Sequence, residues 1–193
     1  MQISGGCSSG RSARRPPSSR PFLPRRSARR RRAPPGTFRP LVRHLVGQDL
    51  RNFTAVARGE NADWQAPADE LGEDWAAAFQ SGADRLMAAW WAADLGQPVA
   101  LPGGAQAPLG RRADQQIAEL AVHSWDLVMV TGQQASLDPA LAEHALAWSR
   151  RMLRPEYRGP DRAFGAEVPV PDDAPAYDRM AGWFGRDPGW TPT

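Results

Sequence analysis

The sequence has no lysine, only one cysteine and no long apolar run, and each scarcity narrows what the protein can be. All 24 basic residues among its 193 are arginine, a bias that we attribute to GC-rich coding rather than to function. The single cysteine, Cys7, excludes an intramolecular disulfide framework and a thiolate-rich zinc site. No apolar stretch approaches the roughly 20 residues that a membrane span needs. We therefore expect a soluble, cytoplasmic protein that has no membrane partner.

Charge is divided unevenly along the chain. Residues 1–40 contain 11 arginines and no acidic residue, whereas the other 153 residues contain 13 arginines and 21 acidic residues, a net charge of −8. The overall charge of +3 therefore hides a basic tail joined to an acidic body. An acidic body argues against a nucleic-acid-binding domain, which needs basic residues gathered on one face.

Residues 1–36 consist mainly of Arg, Ser, Pro and Gly and contain too few apolar residues to offset the chain entropy lost on folding. A secretory or twin-arginine signal would need an apolar region after the arginines, and a transit peptide would need an amphipathic stripe. A nucleic-acid-binding arm fits the charge, but Phe22 is its only aromatic residue for stacking. We predict that residues 1–36 are a disordered extension or a misassigned translation start, and that residues 37–193 form the domain.

Apolar periodicity in the domain predicts helices separated by polar or Pro/Gly-rich loops. The predicted helices are Phe38–Ala57, Asp74–Leu95, Arg111–Val130, a helix from the Asp138-Pro139 cap to about Leu153, and a short one capped by Asp172 or Asp173 that runs through Trp183-Phe184. Val99–Gly110 reads as a Pro/Gly loop, and the segment from Arg154 onward is rich in loops. No strand pattern persists, so the predicted fold class is all-α, a helical bundle.

The third predicted helix contains the residues that indicate chemistry. Apolar residues occupy every face between Ile117 and Val130, which is typical of a buried helix. At about 100° per residue, Glu119, His123 and Asp126 lie within about 60° of one another. Burying a carboxylate and an imidazole is unfavourable unless something compensates them, and a divalent cation binds both directly. The pattern therefore predicts a metal site at Glu119 and His123.

A third ligand should come from another helix, and either His44 or His144 can supply it. His44 lies in the middle of the first apolar stripe, with Gln48 one turn later, and His144 lies near the start of the fourth helix. The residues alone do not choose between them. The alternative to a metal site is an ordinary ion pair, because Glu and His four residues apart are common on helix surfaces. For His144 by itself, the simpler interpretation is a surface or packing residue.

Three segments resemble one known family, the DinB-like, mycothiol-dependent maleylpyruvate isomerases. Leu41-Val42-Arg43-His44-Leu45-Val46-Gly47 is similar to that family's first metal-ligand helix. Glu119 to Leu127, followed by Thr131-Gly132-Gln133, is similar to its second ligand segment. Phe164-Gly165, the stretch Val168 to Pro175 and Gly185-Arg186-Asp187-Pro188 resemble a branch described mainly as metal-binding. The similarity spans about residues 37–190.

The resemblance implies a DinB-like four-helix bundle and selects His44, Glu119 and His123 as the ligands of a divalent metal, expected to be zinc. It also implies open metal positions for a low-molecular-weight thiol such as mycothiol, and hence an isomerase or thiol S-transferase acting on a small electrophilic molecule. Asp126 would then orient a ligand, or simply be a polar residue near the helix end. The family's first helix is missing or replaced here by the arginine-rich tail.

Two other functions stay open at this stage. The first is a non-catalytic metal-binding or sensor protein of the same fold, which would share the three ligands but offer no reachable metal position. The second is a nucleic-acid-associated protein that acts through its arginine-rich tail, with binding that weakens as salt rises. Partners beyond a small-molecule substrate or thiol are not specified, and a homo-oligomer is compatible with the sequence.

Overall fold

The computed structural model describes residues 38–100, 105–159 and 164–190. Within these ranges the chain is mostly helical, which confirms the all-α prediction at this coarse level. The predicted disorder of residues 1–36 concerns residues outside the described ranges. Among the described helices, none combines the length and the apolar composition that crossing a membrane requires.

The first helical stretch contains a turn that periodicity did not predict. Helix α1 (Phe38–His44) continues through a π-helical turn (Leu45–Asp49) into helix α2 (Leu50–Ala57). The predicted end of the helix, Ala57, is confirmed, and the chain is already helical at Phe38, the first residue that the structure describes. Within the π turn, Gly47 lies against the following loop: its carbonyl accepts from the N–H of Asp69 at 3.0 Å. A Cβ atom at Gly47 would lie 2.7 Å from the Asp69 carbonyl oxygen, so this contact requires glycine.

Helix α3 (Trp75–Ala92) starts where an aspartate side chain accepts a hydrogen bond from an N–H group of the first turn. Asp74 accepts a hydrogen bond from the Ala77 N–H at 2.9 Å, so the predicted start of this helix is confirmed. Its end comes three residues before the predicted Leu95. Ala93 is extended, and the carboxylate of Asp94 accepts from the Gly96 N–H, which organises a turn in place of another helical turn.

A short hairpin replaces part of the loop predicted at Val99–Gly110. Strand β1 (Pro98–Ala100) pairs antiparallel with strand β2 (Gln106–Pro108), with Val99 opposite Ala107. The prediction of a loop over this segment was therefore wrong in part. Three residues are too few to show a two-residue alternation, and the prolines at the hairpin's open end obscure it further.

Helices α4 (Gly110–Thr131) and α5 (Pro139–Met152) agree with their predicted limits to within one residue. Gly132 ends α4 in the left-handed conformation at φ +65°, which favours glycine. Asp138 caps α5 by accepting from the Ala140 N–H at 2.9 Å, and Pro139 occupies the first turn. These are the sequence signals that predicted both helix ends.

The C-terminal segment folds back onto the bundle through helix α6 (Ala176–Trp183). The predicted caps, Asp172 and Asp173, are wrong: both lie in a turn before the helix, and Pro175 is the capping residue, without a side-chain hydrogen bond. The extended residues Val168 and Val170 pack on α6 at Gly182, where a Cβ atom would lie 2.4 Å from a methyl group of Val170.

Helix α4 is the centre of the packing, with α1, α2, α5 and α6 against it. One apolar core joins α4, α5 and α6, and includes Trp125, Leu146, Met180 and Phe184. A smaller core joins α2 and α3 around Leu50, Phe53 and Leu86. Helix α3 also exposes a row of large apolar side chains, at Trp75, Phe79, Met87 and Trp91. Such a surface favours association, and the homo-oligomer stays a prediction.

Candidate metal centre

Three predicted residues lie together where α1 and α4 pack. One ligand atom from each of His44, Glu119 and His123 lies within 4.8 Å of the other two. His44 comes from the end of α1, whereas Glu119 and His123 lie one turn apart on α4. The two imidazole rings meet edge to face, with their centroids 5.1 Å apart. The tertiary structure thus selects His44 as the third member of the group.

His144 lies elsewhere. Its Nε2 is 2.9 Å from a carboxylate oxygen of Asp114, and the side chain is 46% exposed. This exposed position agrees with the simpler interpretation of His144 as a surface residue. His144 therefore serves as a natural control for experiments on the other two histidines.

The ring of His44 is oriented by the amide of Gln48. The Gln48 Nε2 donates to the carbonyls of Trp64 and Ala66, at 3.1 and 3.2 Å. Those two bonds fix which end of the amide is oxygen, so Oε1 is the atom that accepts from His44 Nδ1 at 3.0 Å. Because Nδ1 is held by Gln48, the other ring nitrogen, Nε2, faces the cluster.

The ring of His123 is oriented by a carboxylate. Its Nδ1 lies 3.0 Å from Asp126 Oδ2. Arg186, from the C-terminal segment, forms a bidentate ion pair with Asp126 and donates a hydrogen bond of 2.8 Å to each carboxylate oxygen. Burial raises the pKa of Asp126, but Arg186 and His123 outweigh burial and hold that pKa below its usual value. The ionised carboxylate accepts from Nδ1, which leaves Nε2 facing the cluster.

The cluster brings the Nε2 atoms of both imidazoles close to carboxylate oxygens. His123 Nε2 lies 3.6 Å from Glu119 Oε2, and His44 Nε2 lies 3.3 Å from Oδ2 of a further carboxylate, Asp49. Ligand atoms bound at 2.0–2.1 Å to a tetrahedral ion are roughly 3.3–3.4 Å apart. Two imidazole nitrogens and a glutamate oxygen also form a known donor set for catalytic zinc. The residues present fit a divalent ion.

Without an ion, protons would have to compensate these groups. Burial lowers the pKa of His123, but Asp126 and Glu119 outweigh it and raise that pKa to about 9. Burial raises the pKa of Asp49 to about 6, against the effect of His44. An imidazolium between carboxylates is therefore the metal-free form of the cluster at neutral pH. A bound cation would replace that proton.

Sequence reasoning missed two members of this site and left a third without a role. Gln48 was noted only for its position one turn after His44, although four-residue spacing on a helix is a usable signal. Asp49 was missed because α-helical geometry would turn it about 140° away from His44. Arg186 was quoted only within the family resemblance. No local pattern indicates that it reaches Asp126, 60 residues earlier.

An apolar cavity of about 470 Å³ lies between α1, α3 and α4. Its walls include Leu45, which follows His44, and Ser124, which follows His123. Phe79 and Leu127 are among the large apolar side chains that complete it. The volume lies within the range of cavities that bind small molecules.

No family model matches the sequence, and no solved structure is significantly similar to it. Two proteins of Mycobacterium tuberculosis do match. These are the uncharacterized protein Rv0738 of strain ATCC 25618 / H37Rv and the uncharacterized protein MT0763 of strain CDC 1551 / Oshkosh. Each is 33% identical to this chain over 159 residues, which cover 78% of this chain and 79% of the relative. At that identity and coverage, this chain belongs to the same family as these two mycobacterial proteins.

Proposed function

We propose that this protein binds one divalent metal ion, zinc in the resting state, through His44, Glu119 and His123. We further propose that it uses the ion to bind a small thiol and acts as an isomerase or thiol S-transferase on small electrophilic molecules. The bundle would be of the DinB-like type, as the sequence resemblance implies. Mycothiol is the thiol that this resemblance suggests.

The observation that best supports the proposed metal site is the orientation of the two imidazoles. Each ring has its Nδ1 occupied by an acceptor that is itself held by other groups: Gln48 by two backbone carbonyls and Asp126 by Arg186. Metal-binding histidines are arranged in this way, since the outer acceptor fixes the ring and raises its basicity. A salt-bridged surface pair such as His144 and Asp114 has no such outer support.

A metal bound at the centre would lower the pKa of a coordinated thiol and so supply the reactive thiolate at neutral pH. The side chains of His44 and Glu119 are 39% and 32% exposed, so a small molecule can approach from that side. His123 is only 13% exposed and closes the opposite side. The apolar cavity between α1, α3 and α4, whose walls include Leu45 and Ser124, would take the rest of the substrate.

Cobalt substitution tests whether a thiol reaches the metal. We expect that adding 2-mercaptoethanol or a mycothiol analogue to the cobalt-loaded full chain will produce sulfur-to-cobalt charge-transfer absorption. The band should be missing in cobalt-treated His123→Ala and should persist in His144→Ala. If the cobalt-loaded wild type shows no spectral change with any small thiol, the protein is a metal-binding or sensor protein and the thiol chemistry is wrong.

A further inference from the structure

We propose that Asp49 is a fourth protein ligand of the metal, and that an incoming thiol must displace its carboxylate. This inference rests on the proposed metal site and specifies how its fourth position is filled. It concerns a residue that lies outside the three whose ligand atoms are all within 4.8 Å of one another. Three observations support it: the π-helical turn, the burial of Asp49 and the position of its free oxygen.

The π-helical turn is what brings Asp49 to the site. In a regular α-helix, residues five apart point about 140° away from each other, so His44 and Asp49 would lie on different faces. Here the N–H of Leu50 donates to the carbonyl of Leu45, an i to i+5 bond that widens the helix by one residue. The carboxylate of Asp49 consequently approaches the imidazole of His44. Isolated π turns of this kind are frequent at functional sites.

The Oδ2 atom of Asp49 is buried without a hydrogen-bond partner. Asp49 is 3% exposed, and its Oδ2 makes no hydrogen bond in the described part of the chain. Buried carboxylates are normally hydrogen-bonded or paired, because burying an unpaired charge is strongly unfavourable. An unpartnered oxygen in this position indicates that something else compensates it.

The free oxygen points at the metal-facing nitrogen of a ligand. Asp49 Oδ2 is 3.3 Å from His44 Nε2, a separation expected for two atoms that bind the same ion at 2.0–2.1 Å. The two atoms form no hydrogen bond, and the other ring nitrogen of His44, Nδ1, already contacts Gln48. A cation between the two atoms explains both their closeness and the missing hydrogen bond.

Asp49 would make the resting centre a four-coordinate site with two histidines and two carboxylates. A thiol then competes with the carboxylate for one metal position. No covalent bond of the protein would change in this exchange: one metal–oxygen bond would be replaced by one metal–sulfur bond, and the proton of the thiol would pass to the solvent. Loss of Asp49 should therefore weaken metal binding and strengthen thiol binding, two effects of opposite direction that a purely structural residue would not produce.

Asp49→Asn in the full chain tests this proposal, because it removes the charge with almost no change in volume. We expect its affinity for cobalt, measured by competition with a chelator, to fall by more than the about 100-fold that marks the loss of an outer-shell partner. The visible absorption of the cobalt form should change, and half-saturation with 2-mercaptoethanol should need less thiol. Asp69→Asn, which alters a nearby exposed carboxylate paired with Arg51, is the matched control and should change none of these.

Metal-free Asp49→Asn is expected to keep the wild-type circular dichroism, and Asp49→Ala serves as a second variant that also removes the ligand oxygen. Cobalt affinity within about 100-fold of wild type in both variants would overturn the proposal and leave Asp49 outside the coordination shell. Unchanged or weaker thiol binding in both would overturn the displacement. Wild-type protein that binds no cobalt would instead refute the proposed function itself.

Discussion

The two histidines of the centre are held by groups of different charge. Gln48, a neutral amide fixed by two backbone carbonyls, accepts from His44. Asp126, an ionised carboxylate gripped by Arg186, accepts from His123. Both arrangements direct Nε2 into the cluster, so orientation is equal on the two sides. The basicity of the two imidazole rings differs, because a negatively charged acceptor increases the electron density on the ring and a neutral amide does so much less.

The difference also extends to the parts of the chain that support each ring. Gln48 is held by the loop that follows α2, through the carbonyls of Trp64 and Ala66. Asp126 is held by Arg186, which follows α6, so the C-terminal segment takes part in organising the centre. The close packing of Gly185 on Gly165 and Ala166 places the backbone that carries Arg186. Both supporting segments would be described as loops from sequence alone.

Removing each support separately tests the comparison. Asp126→Asn should lower zinc affinity about 100-fold and Gln48→Leu about 10-fold, the two ends of the range for outer-shell partners. The first change removes the negative charge but leaves an amide oxygen that can accept from His123 Nδ1, whereas the second removes the acceptor that orients His44. Equilibrium competition with a chelator at fixed pH measures both.

Asp114→Asn, which removes the carboxylate beside His144, is the control and should leave zinc affinity unchanged. Equal losses in Asp126→Asn and Gln48→Leu would mean that removing the negative charge beside His123 weakens zinc binding no more than removing the acceptor that orients His44. A larger loss in Gln48→Leu would contradict the comparison outright.

The protonation of His123 provides a second, smaller effect on zinc binding. The pKa of His123 in the metal-free protein is about 9, so its imidazole is protonated at pH 7.5 and a metal must displace that proton. We expect zinc binding to release close to one proton per ion at pH 7.5, and zinc affinity to rise with pH up to about 9. Calorimetric titrations in two buffers of different ionisation enthalpy measure the release. Asp126→Asn should reduce it, and no release in the wild type would show that His123 is neutral before binding.

The same pKa shifts affect the stability of the metal-free protein. The pKa of His123 is raised above its usual 6.5 to about 9, so its contribution to stability is complete below pH 6.5 and is lost as pH rises through 9. The pKa of Asp49 is raised from 3.8 to about 6, so its contribution is present below pH 3.8 and is lost as pH rises through 6. Both shifts make the metal-free protein less stable in alkaline solution, where zinc should stabilise it most.

Local patterns predicted most helix positions. Asp74 and Asp138 have the side chain and the sequence position of helix caps, so the starts of α3 and α5 could be predicted. Gly132 is the kind of residue that ends helices in the left-handed conformation, so the end of α4 could be predicted as well. The pair Glu119 and His123 was readable because four-residue spacing puts both on one face of α4. Choosing His44 over His144 needed either the family resemblance or the tertiary structure.

What could not be predicted depends on irregular or distant contacts. The π turn that brings Asp49 to the centre breaks the 100° rule on which helical periodicity rests. Arg186 is 60 residues from Asp126, and nothing in its own sequence neighbourhood indicates a partner. The hairpin of β1 and β2 is too short for alternation to show. In each case the information lies in packing and not in local spacing.

The most direct test of the account is the metal content of the purified full chain after zinc loading, determined by mass spectrometry alongside His44→Ala, Glu119→Ala, His123→Ala and His144→Ala. The account predicts one zinc ion per chain in the wild type and in His144→Ala, and loss of that ion in the three other variants. Because His144 is already paired with Asp114 on the surface, its removal should not affect the centre. Zinc at the wild-type level in His123→Ala, or no zinc in the wild type, would contradict the account.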